Sequence, residues 1–292
     1  MTIDNIKTIG IIGSGTMGRG IAISSASAGF KTILNDISKE ILNRSKVHIE
    51  QDLSKAVQKG KMTEEKVKNV LANIHLEENF ESLAESDLII EAALEDMKLK
   101  ADLFTKLDHV CREDAILTSN TSSLSVTAIA SHVRRNRSRV AGMHFFNPAN
   151  IMKLVEIVAG DLTSEDTISL LMEISKKMGK VPVVAKDTPA FIVNRIARPF
   201  YGEALKILAE GSADHETIDK VMKSCGSFAM GPFELMDMIG IDVNFSVTKS
   251  VYDAFFNDPK YRPSFIQKKM VDSGTLGRKT GRGFYKYGSE SH

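Results

Sequence analysis

The chain is poor in cysteine and has no excess of charge of either sign. Its two cysteines, Cys111 and Cys225, lie far apart in 292 residues and form no C-x-x-C motif. This argues against a disulfide scaffold or a zinc site and fits a reducing compartment. The 38 basic and 37 acidic residues give a net charge of +1, so the chain lacks the large positive charge that would attract nucleic acid. We therefore expect no metal centre and no nucleic-acid partner.

Long apolar runs, internal repeats and low-complexity tracts are also lacking. No uninterrupted apolar run approaches the roughly 18 residues of a membrane span, so we expect no membrane partner. Asp4 stands just before the first predicted strand. This leaves no room for a signal or transit peptide, and we expect a cytoplasmic protein. A basic run at residues 134–139 is interpreted as a solvated loop, with a phosphate-bearing partner as the alternative.

What the chain does have is a glycine-rich turn between a predicted strand at 6–12 and a predicted helix. Its three glycines fall on the G-x-G-x-x-G spacing. The first glycine permits a tight turn, the second lets a pyrophosphate approach the backbone, and the third lets helix and strand pack closely. The N-terminus of the helix offers free N–H groups to the anion. The predicted dinucleotide site comprises Gly13, Ser14, Gly15, Thr16, Met17 and Gly18.

A second predicted strand, at 32–35, ends in Asp36. A carboxylate at this position accepts hydrogen bonds from both ribose hydroxyls and repels a 2′-phosphate, so the sequence favours NAD over NADP. A chance occurrence of the glycine spacing is the alternative. It does not explain why strand, helix, second strand and acid follow one another in order.

Strands and helices alternate as far as residue 186. This alternation predicts an α/β fold with a doubly wound, Rossmann-type, mostly parallel sheet. The predicted strands are 6–12, 32–35, 74–76, 88–93, 115–118, 140–146, 154–158 and 181–185. The predicted helices between them are 37–59, 63–73, 95–111, 126–132 and 164–178, besides the one after the glycine turn.

The alternation stops at Asp187-Thr188-Pro189, and the rest of the chain has only helical patterns. We predict helices at 191–210, 214–224, 242–256 and 263–273, with Gly211 and Gly274 as C-terminal caps. The predicted domains are therefore 1–187, which binds NAD, and 188–292, an all-helical substrate and dimerisation domain. Phe and Met are frequent in the second domain. Because a small helical domain can bury such an excess of apolar surface against a second copy of itself, we predict a homodimer.

The ends of three predicted strands carry candidate chemistry, because ligands of open parallel sheets lie beyond the carboxyl ends of the strands. Strand 115–118 leads into a run of small hydrogen-bonding side chains at 119–123. Strand 140–146 carries His144, and the next strand carries Glu156. An imidazole exchanges protons near neutral pH, and a buried carboxylate can orient it and stabilise its charged form. This pattern predicts a general base acting on an alcohol while hydride leaves the carbon.

Each of these residues also has a structural interpretation. His144 is alternatively a core histidine bonded to backbone. Ser122 is alternatively the N-cap of the next helix, although that role and a substrate contact can coexist.

Several motifs together resemble the 3-hydroxyacyl-CoA dehydrogenases, and especially the short bacterial 3-hydroxybutyryl-CoA dehydrogenases. The resemblance covers essentially the whole chain. The motifs are Asn120-Thr-Ser-Ser-Leu124, His144-Phe-Phe-Asn-Pro148, Met152-Lys-Leu-Val-Glu156, Phe191-Ile-Val-Asn-Arg195, Gly231-Pro-Phe233 and residues 277–285.

The resemblance implies NAD-dependent, reversible oxidation of a (3S)-3-hydroxyacyl-CoA to the 3-ketoacyl-CoA. It implies His144 as catalytic base or acid paired with Glu156, and Ser122 and Asn194 as donors to the substrate's oxygens. Positions lining the nicotinamide half of the cofactor site would be Glu95, Lys100, Asn120 and Asn147, with Lys279 approaching the cofactor from the C-terminal tail. Lys55 and Lys59 would bind the acidic head of coenzyme A; the generic alternative is a solvated helix face.

Two departures from the family pattern affect these assignments. Ala190 stands where many relatives have glycine, and the segment between Ser122 and His144 is one residue longer than in some relatives, which leaves Ser123 as an alternative to Ser122. Two other functions remain open. One is a related dehydrogenase of a free hydroxy acid, and the other is a non-catalytic NAD-binding protein.

Overall fold

The structure, a computed structural model, describes residues 2–288 and divides into two compact units. The first unit extends to Phe191 and the second begins at Ile192, whereas the sequence places the boundary between residues 187 and 188. Within the described residues no helix is long and apolar enough to cross a bilayer.

The first unit is an eight-stranded sheet with helices on both faces, which confirms the predicted fold class. The strands are β1 (Thr8–Ile12), β2 (Lys31–Asn35), β3 (Ile74–Glu77), β4 (Leu88–Glu91), β5 (Ile116–Ser119), β6 (Val140–Phe145), β7 (Leu154–Ala159) and β8 (Val181–Lys186). The helices are α1 (Thr16–Ser27), α2 (Lys39–Gln58), α3 (Glu64–Asn73), α4 (Met97–Val110), α5 (Val126–Ala130) and α6 (Glu165–Lys177).

The strand order is β3-β2-β1-β4-β5-β6-β7-β8. The chain winds outward from β1 to β3, then crosses back to β4 on the other side of β1, so the direction of winding reverses between β1 and β4. In open α/β sheets the ligand crevice lies outside the carboxyl ends of the strands at such a switch point. Gly13 follows β1 there, and Glu91 ends β4.

Alternating side chains of the strands build a core on each face of the sheet. Ile9 and Ile11 point into one apolar cluster, while Ile12 belongs to the other. The period of two in a strand sends successive side chains to opposite faces, and a strand buried on both faces is apolar throughout. The five residues of β1 are accordingly all buried.

One pairing departs from the parallel pattern: β7 runs antiparallel to β6. A parallel connection needs a crossover of a dozen or more residues, usually a helix, but only residues 146–153 join these strands. The reversal places His144 directly opposite Glu156 in the strand register.

The second unit is all-helical, as predicted. Its helices are α7 (Val193–Ala209), α8 (His215–Gly226), α9 (Pro232–Ile239), α10 (Ile241–Ala254) and α11 (Phe265–Asp272). The sequence analysis missed α9, although Gly231 caps it and Pro232 occupies its first position. Eight mostly apolar residues cover only about two turns, too few for a helical period to stand out. Phe233 and Met236 of α9 nevertheless lie in the core of this unit, fully buried.

Candidate functional site

The glycine turn has the shape that a dinucleotide needs. A Cβ on Gly18 would lie 1.7 Å from the carbonyl oxygen of Gly13, and one on Gly13 would lie 2.7 Å from that of Ala92. These two positions are therefore closed to larger residues. A Cβ on Gly15 would meet nothing within 4 Å, so this side of the turn faces open space. Gly15 is also the N-cap of α1, and a pyrophosphate approaching there would meet the uncapped N–H groups of the helix.

Asp36 is fixed by this turn. Its Oδ2 accepts hydrogen bonds of 2.8 Å from both the N–H and the hydroxyl of Ser14. Ser14 itself is fully buried, and Ser45 on α2 donates a 2.6 Å hydrogen bond to its carbonyl oxygen. The carboxylate thus stands beside the glycine turn in a fixed orientation. Of the other residues of the turn, Thr16 is exposed and Met17 is half-buried. These residues fit a bound NAD.

His144 and Glu156 form a buried pair. The Nδ1 of His144 lies 2.7 Å from the Oε2 of Glu156, and the two side chains are 7% and 0% exposed. The imidazole also packs against the rings of Phe146 and Phe191, at centroid distances of 4.6 and 5.9 Å. Because Glu156 engages Nδ1, the other ring nitrogen, Nε2, is the one that can exchange a proton with a substrate.

The loop after β5 is held by Glu95. Its Oε1 accepts hydrogen bonds from the Thr121 hydroxyl at 2.6 Å and from the N–H groups of Ser122 and Ser123 at 2.9 and 3.2 Å. Both serine hydroxyls lie 3.3 Å from the same oxygen, so these distances do not separate Ser122 from Ser123. Burial acts to raise the pKa of Glu95. The attraction of Lys100 and these hydrogen bonds outweigh it and keep the pKa below its ordinary value.

Ser122 does not cap the helix that follows. The N-cap of α5 is Ser125, whose hydroxyl accepts a hydrogen bond from the N–H of Ala128. The capping interpretation of Ser122 is therefore wrong.

Three more of the predicted cofactor residues differ widely in their exposure and hydrogen bonding. Lys100 is 1% exposed, so its ammonium lies inside the first unit. Asn120 accepts a 2.8 Å hydrogen bond from the N–H of Phe145, which ties the end of β5 to the end of β6. Asn147 is exposed.

Two predicted residues belong to the second unit. Lys279 lies 2.6 Å from Asp242. Burial acts to raise the pKa of Asp242, but the hydrogen bond from Lys279 and others bring it below its ordinary value. Asn194 is half-buried in the first turn of α7, and its carbonyl oxygen accepts a hydrogen bond from Arg198.

Lys55 and Lys59 line a cavity of about 410 Å³ in the first unit. Sequence reasoning did not identify the three other lysines of its wall, Lys61, Lys153 and Lys180. Lys180 is buried and donates hydrogen bonds to the carbonyl oxygens of Ala149 and Met152. Burial lowers its pKa. Five lysines from three stretches of the chain against one carboxylate, Asp52, give this wall an excess of positive charge that suits an anionic ligand.

The basic run at 134–139 is solvated at three of its four arginines, Arg134, Arg135 and Arg137, as predicted, but its last arginine is buried in the first unit. Arg139 is 3% exposed and its guanidinium lies 2.9 Å from the equally buried Asp108. The N–H groups of Arg134 and Arg135 donate to the same carboxylate. Burial acts to raise the pKa of Asp108, but these donors and the charge of Arg139 lower it below its ordinary value.

Comparison with known proteins identifies the family. Residues 8–188 match the model of the 3-hydroxyacyl-CoA dehydrogenase NAD-binding domain, and residues 191–287 match that of the C-terminal domain. The chain is 46% identical to the 3-hydroxyadipyl-CoA dehydrogenase of Escherichia coli, matching 98% of this chain but only 60% of that protein's length. It is 44% identical to the 3-hydroxybutyryl-CoA dehydrogenase of Clostridioides difficile, over 96% of this chain and 99% of that one.

A solved structure agrees with these matches. The (S)-3-hydroxybutyryl-CoA dehydrogenase of Ralstonia eutropha superposes with a TM-score of 0.92 at 41% identity, covering 98% of this chain and 100% of the other. The family resemblance predicted from the sequence motifs is confirmed. The chain belongs to the 3-hydroxyacyl-CoA dehydrogenase family, and its first unit is the NAD-binding domain of that family.

Proposed function

We propose that this chain catalyses the reversible oxidation of a short (3S)-3-hydroxyacyl-CoA, 3-hydroxybutyryl-CoA, to the 3-ketoacyl-CoA. The observation that carries the proposal is the buried His144–Glu156 pair, with 2.7 Å between Nδ1 and Oε2, on a domain whose family binds NAD. NAD, when bound, supplies the acceptor for the hydride that leaves C3.

The protein's own part in the reaction is proton transfer and orientation. His144 takes the hydroxyl proton of the substrate on Nε2 as the C3–O bond becomes a carbonyl. Glu156, in contact with Nδ1, holds the imidazole in the required tautomer and stabilises the imidazolium. Ser122 and Asn194 donate hydrogen bonds to the substrate's oxygens, where negative charge develops.

The cofactor would be held by the glycine turn and by Asp36, whose carboxylate is already oriented by Ser14. The remaining residues of the proposed cofactor site are Glu95, Lys100, Asn120, Asn147 and Lys279. The acidic head of coenzyme A would bind in the cavity lined by Lys55 and Lys59, because these two lysines with Lys61 and Lys153 supply the charge that phosphates require.

We also propose a cytoplasmic homodimer, formed through the second unit. That unit exposes large apolar side chains, including Phe256 at 94%, Phe265 at 75% and Ile196 at 68%. Sedimentation equilibrium of the purified chain tests this proposal, and a monomer at micromolar concentration would contradict it.

The catalytic proposal is tested by following NADH absorbance with acetoacetyl-CoA and with free acetoacetate. We expect turnover of the thioester alone, and a series of longer 3-ketoacyl-CoA thioesters should then show the highest kcat/KM at four carbons. Equal turnover of the free acid would indicate a hydroxy-acid dehydrogenase. NADH binding without turnover of any thioester would indicate a non-catalytic protein.

A further inference from the structure

The C-terminal segment, residues 277–287, is folded around one buried carboxylate. Asp237 on α9 is 1% exposed. Its Oδ1 accepts a hydrogen bond of 3.0 Å from the N–H of Phe284, and its Oδ2 accepts bonds of 2.9 and 3.0 Å from the N–H of Tyr285 and the hydroxyl of Tyr287. Because burial of a carboxylate is costly unless donors surround it, these three hydrogen bonds fix the end of the segment on α9.

A second buried carboxylate holds the same end of the segment. Asp219 on α8, also 1% exposed, accepts a 2.9 Å hydrogen bond from the hydroxyl of Tyr285. It also accepts hydrogen bonds of 2.9 Å from the N–H groups of Phe233 and Glu234 in the first turn of α9. Asp219 therefore joins α8, the start of α9 and the C-terminal segment, and the segment is part of the packed framework of the second unit.

The beginning of the C-terminal segment also lies against Asp237. A Cβ on Gly277 would lie 2.4 Å from the carbonyl oxygen of Asp237, and one on Gly283 would lie 2.0 Å from its Oδ1. Gly277 has a φ of +95°, a conformation that glycine adopts readily and other residues do not. The segment thus passes Asp237 twice, in contact each time, and neither glycine can be replaced by a larger residue without a shift of the segment.

Lys279 lies between these two contacts, in a single turn of 3₁₀ helix. The N–H of Gly277 donates a 2.8 Å hydrogen bond to the carbonyl oxygen of Arg282, which closes the loop around this turn. The Lys279 ammonium lies 2.7 Å from Oδ2 of Asp242 on α10. The base of the loop that carries Lys279 is therefore held by Asp237, while Asp242 orients the ammonium itself.

We propose that Asp237 and Tyr287 are positioning residues for Lys279. They fix the C-terminal segment on α9 and so place the ammonium that the proposed function assigns to the NAD site. On this assignment neither Asp237 nor Tyr287 touches the cofactor, and both affect NADH binding through Lys279. The inference rests on the proposed function, since it takes Lys279 as a cofactor contact.

A double-mutant cycle on NADH binding tests the assignment. The variants are Tyr287→Phe, Lys279→Met and the double variant, with Tyr252→Phe, at a half-buried tyrosine of α10, as matched control. Loss of a hydrogen bond from a charged donor should raise the Kd for NADH by about 10- to 100-fold in Lys279→Met. Tyr287→Phe should raise it by about 2- to 5-fold, because the segment keeps two of its three hydrogen bonds to Asp237. In the double variant the loss of the hydroxyl should have no further effect.

Asp237→Asn is a stronger perturbation, because it places an amide donor against the donors of the C-terminal segment. It should raise the Kd for NADH by about 3- to 10-fold, again with no further effect when residue 279 is already Met. Urea titrations of each variant measure any loss of folding stability. Tyr287→Phe leaves the carboxylate in place, so it carries the test if Asp237→Asn does not fold.

Other results would overturn the assignment. Equal losses of NADH affinity from Tyr287→Phe with Lys279 present and with Met in its place would mean that the hydroxyl has a general structural role. An unchanged Kd for Lys279→Met would mean that Lys279 does not bind the cofactor and that there is nothing to position. The cycle measures binding and needs no turnover. The proposed function is therefore tested separately, and it fails if the unmodified protein does not reduce acetoacetyl-CoA.

Discussion

Replacing Glu156 by Gln removes the charge beside His144 while keeping the size of the side chain. In the proposed mechanism the imidazolium forms as His144 accepts a proton, next to a carboxylate oxygen 2.7 Å from Nδ1. Unit charges about 4 Å apart attract by about 4 kcal/mol at an effective dielectric constant of about 20. Each 1.4 kcal/mol corresponds to roughly tenfold in rate, so this attraction contributes at most about 10³. The side-chain amide of the Glu156→Gln variant can still accept one hydrogen bond from Nδ1 of His144. Because part of the interaction is kept, we expect kcat to fall by about 10²–10³.

The assay is the reduction of acetoacetyl-CoA, with the Kd for NADH measured on the same preparations. Glu173→Gln, at an exposed position of α6, is the matched control and should behave like the unmodified protein. Because Glu156 lies on β7 and the glycine turn follows β1, cofactor affinity should be nearly unchanged. A kcat within about threefold of the unmodified protein would refute the argument, since the pair would then contribute under about 1 kcal/mol to the transition state.

Four further outcomes are expected. His144→Gln should lower kcat by about 10²–10⁴ with NADH affinity nearly intact; retained turnover would remove His144 from the mechanism. Asp36→Ala should weaken binding of NADH much more than that of NADPH, because the carboxylate binds ribose hydroxyls and repels a 2′-phosphate; equal losses in titrations would contradict the ribose assignment. Asp108→Asn should lower the free energy of unfolding by about 3 kcal/mol near neutral pH. Because the folded-state pKa of Asp108 lies below its ordinary value of 3.8, this difference in urea titrations should shrink as the pH falls below 3.8, and a difference independent of pH would count against it. Iodoacetamide should modify Cys225, which is exposed, before Cys111, where burial raises the pKa to about 11; mass spectra showing equal rates would exclude this difference.

Much of the fold follows from local patterns in the sequence. Apolar strands such as β1 and β4, separated by helices, predict the doubly wound sheet because each pattern spans enough residues to show its period. The reversal of β7 was not predicted, since its direction depends on the short connection at 146–153 rather than on the strand's own residues. Helix α9 was missed because two turns of apolar residues show no clear period.

The candidate site was predictable where residue type and position at a strand end coincide. His144 satisfies both conditions. Glu156 lies inside β7 and was predicted from its residue type on an apolar strand, and the structure brings the two side chains together. Glu91 also ends a strand, but its ion pair with Lys100 of α4 was not predicted, because no pattern in the sequence reports the reach of a side chain. The same reason explains why the burial of Arg139 was not predicted, because only the fold shows that Asp108 lies beside its guanidinium.

The connection at 146–153 joins the strand of His144 to the strand of Glu156. It also packs against α1, the helix that follows the glycine turn. Its length forces β7 to turn back, which sets His144 opposite Glu156. Ser24 of α1 donates a hydrogen bond to the carbonyl oxygen of Ala149. A Cβ on Gly20 would lie 3.0 Å from the Cβ of Ala149, so a larger residue there would require this connection to shift by a few tenths of an ångström. A shift of α1 would therefore be transmitted to the segment that follows β6, the strand of His144. Glycine at position 20 therefore lets α1 pack against this connection at its present distance.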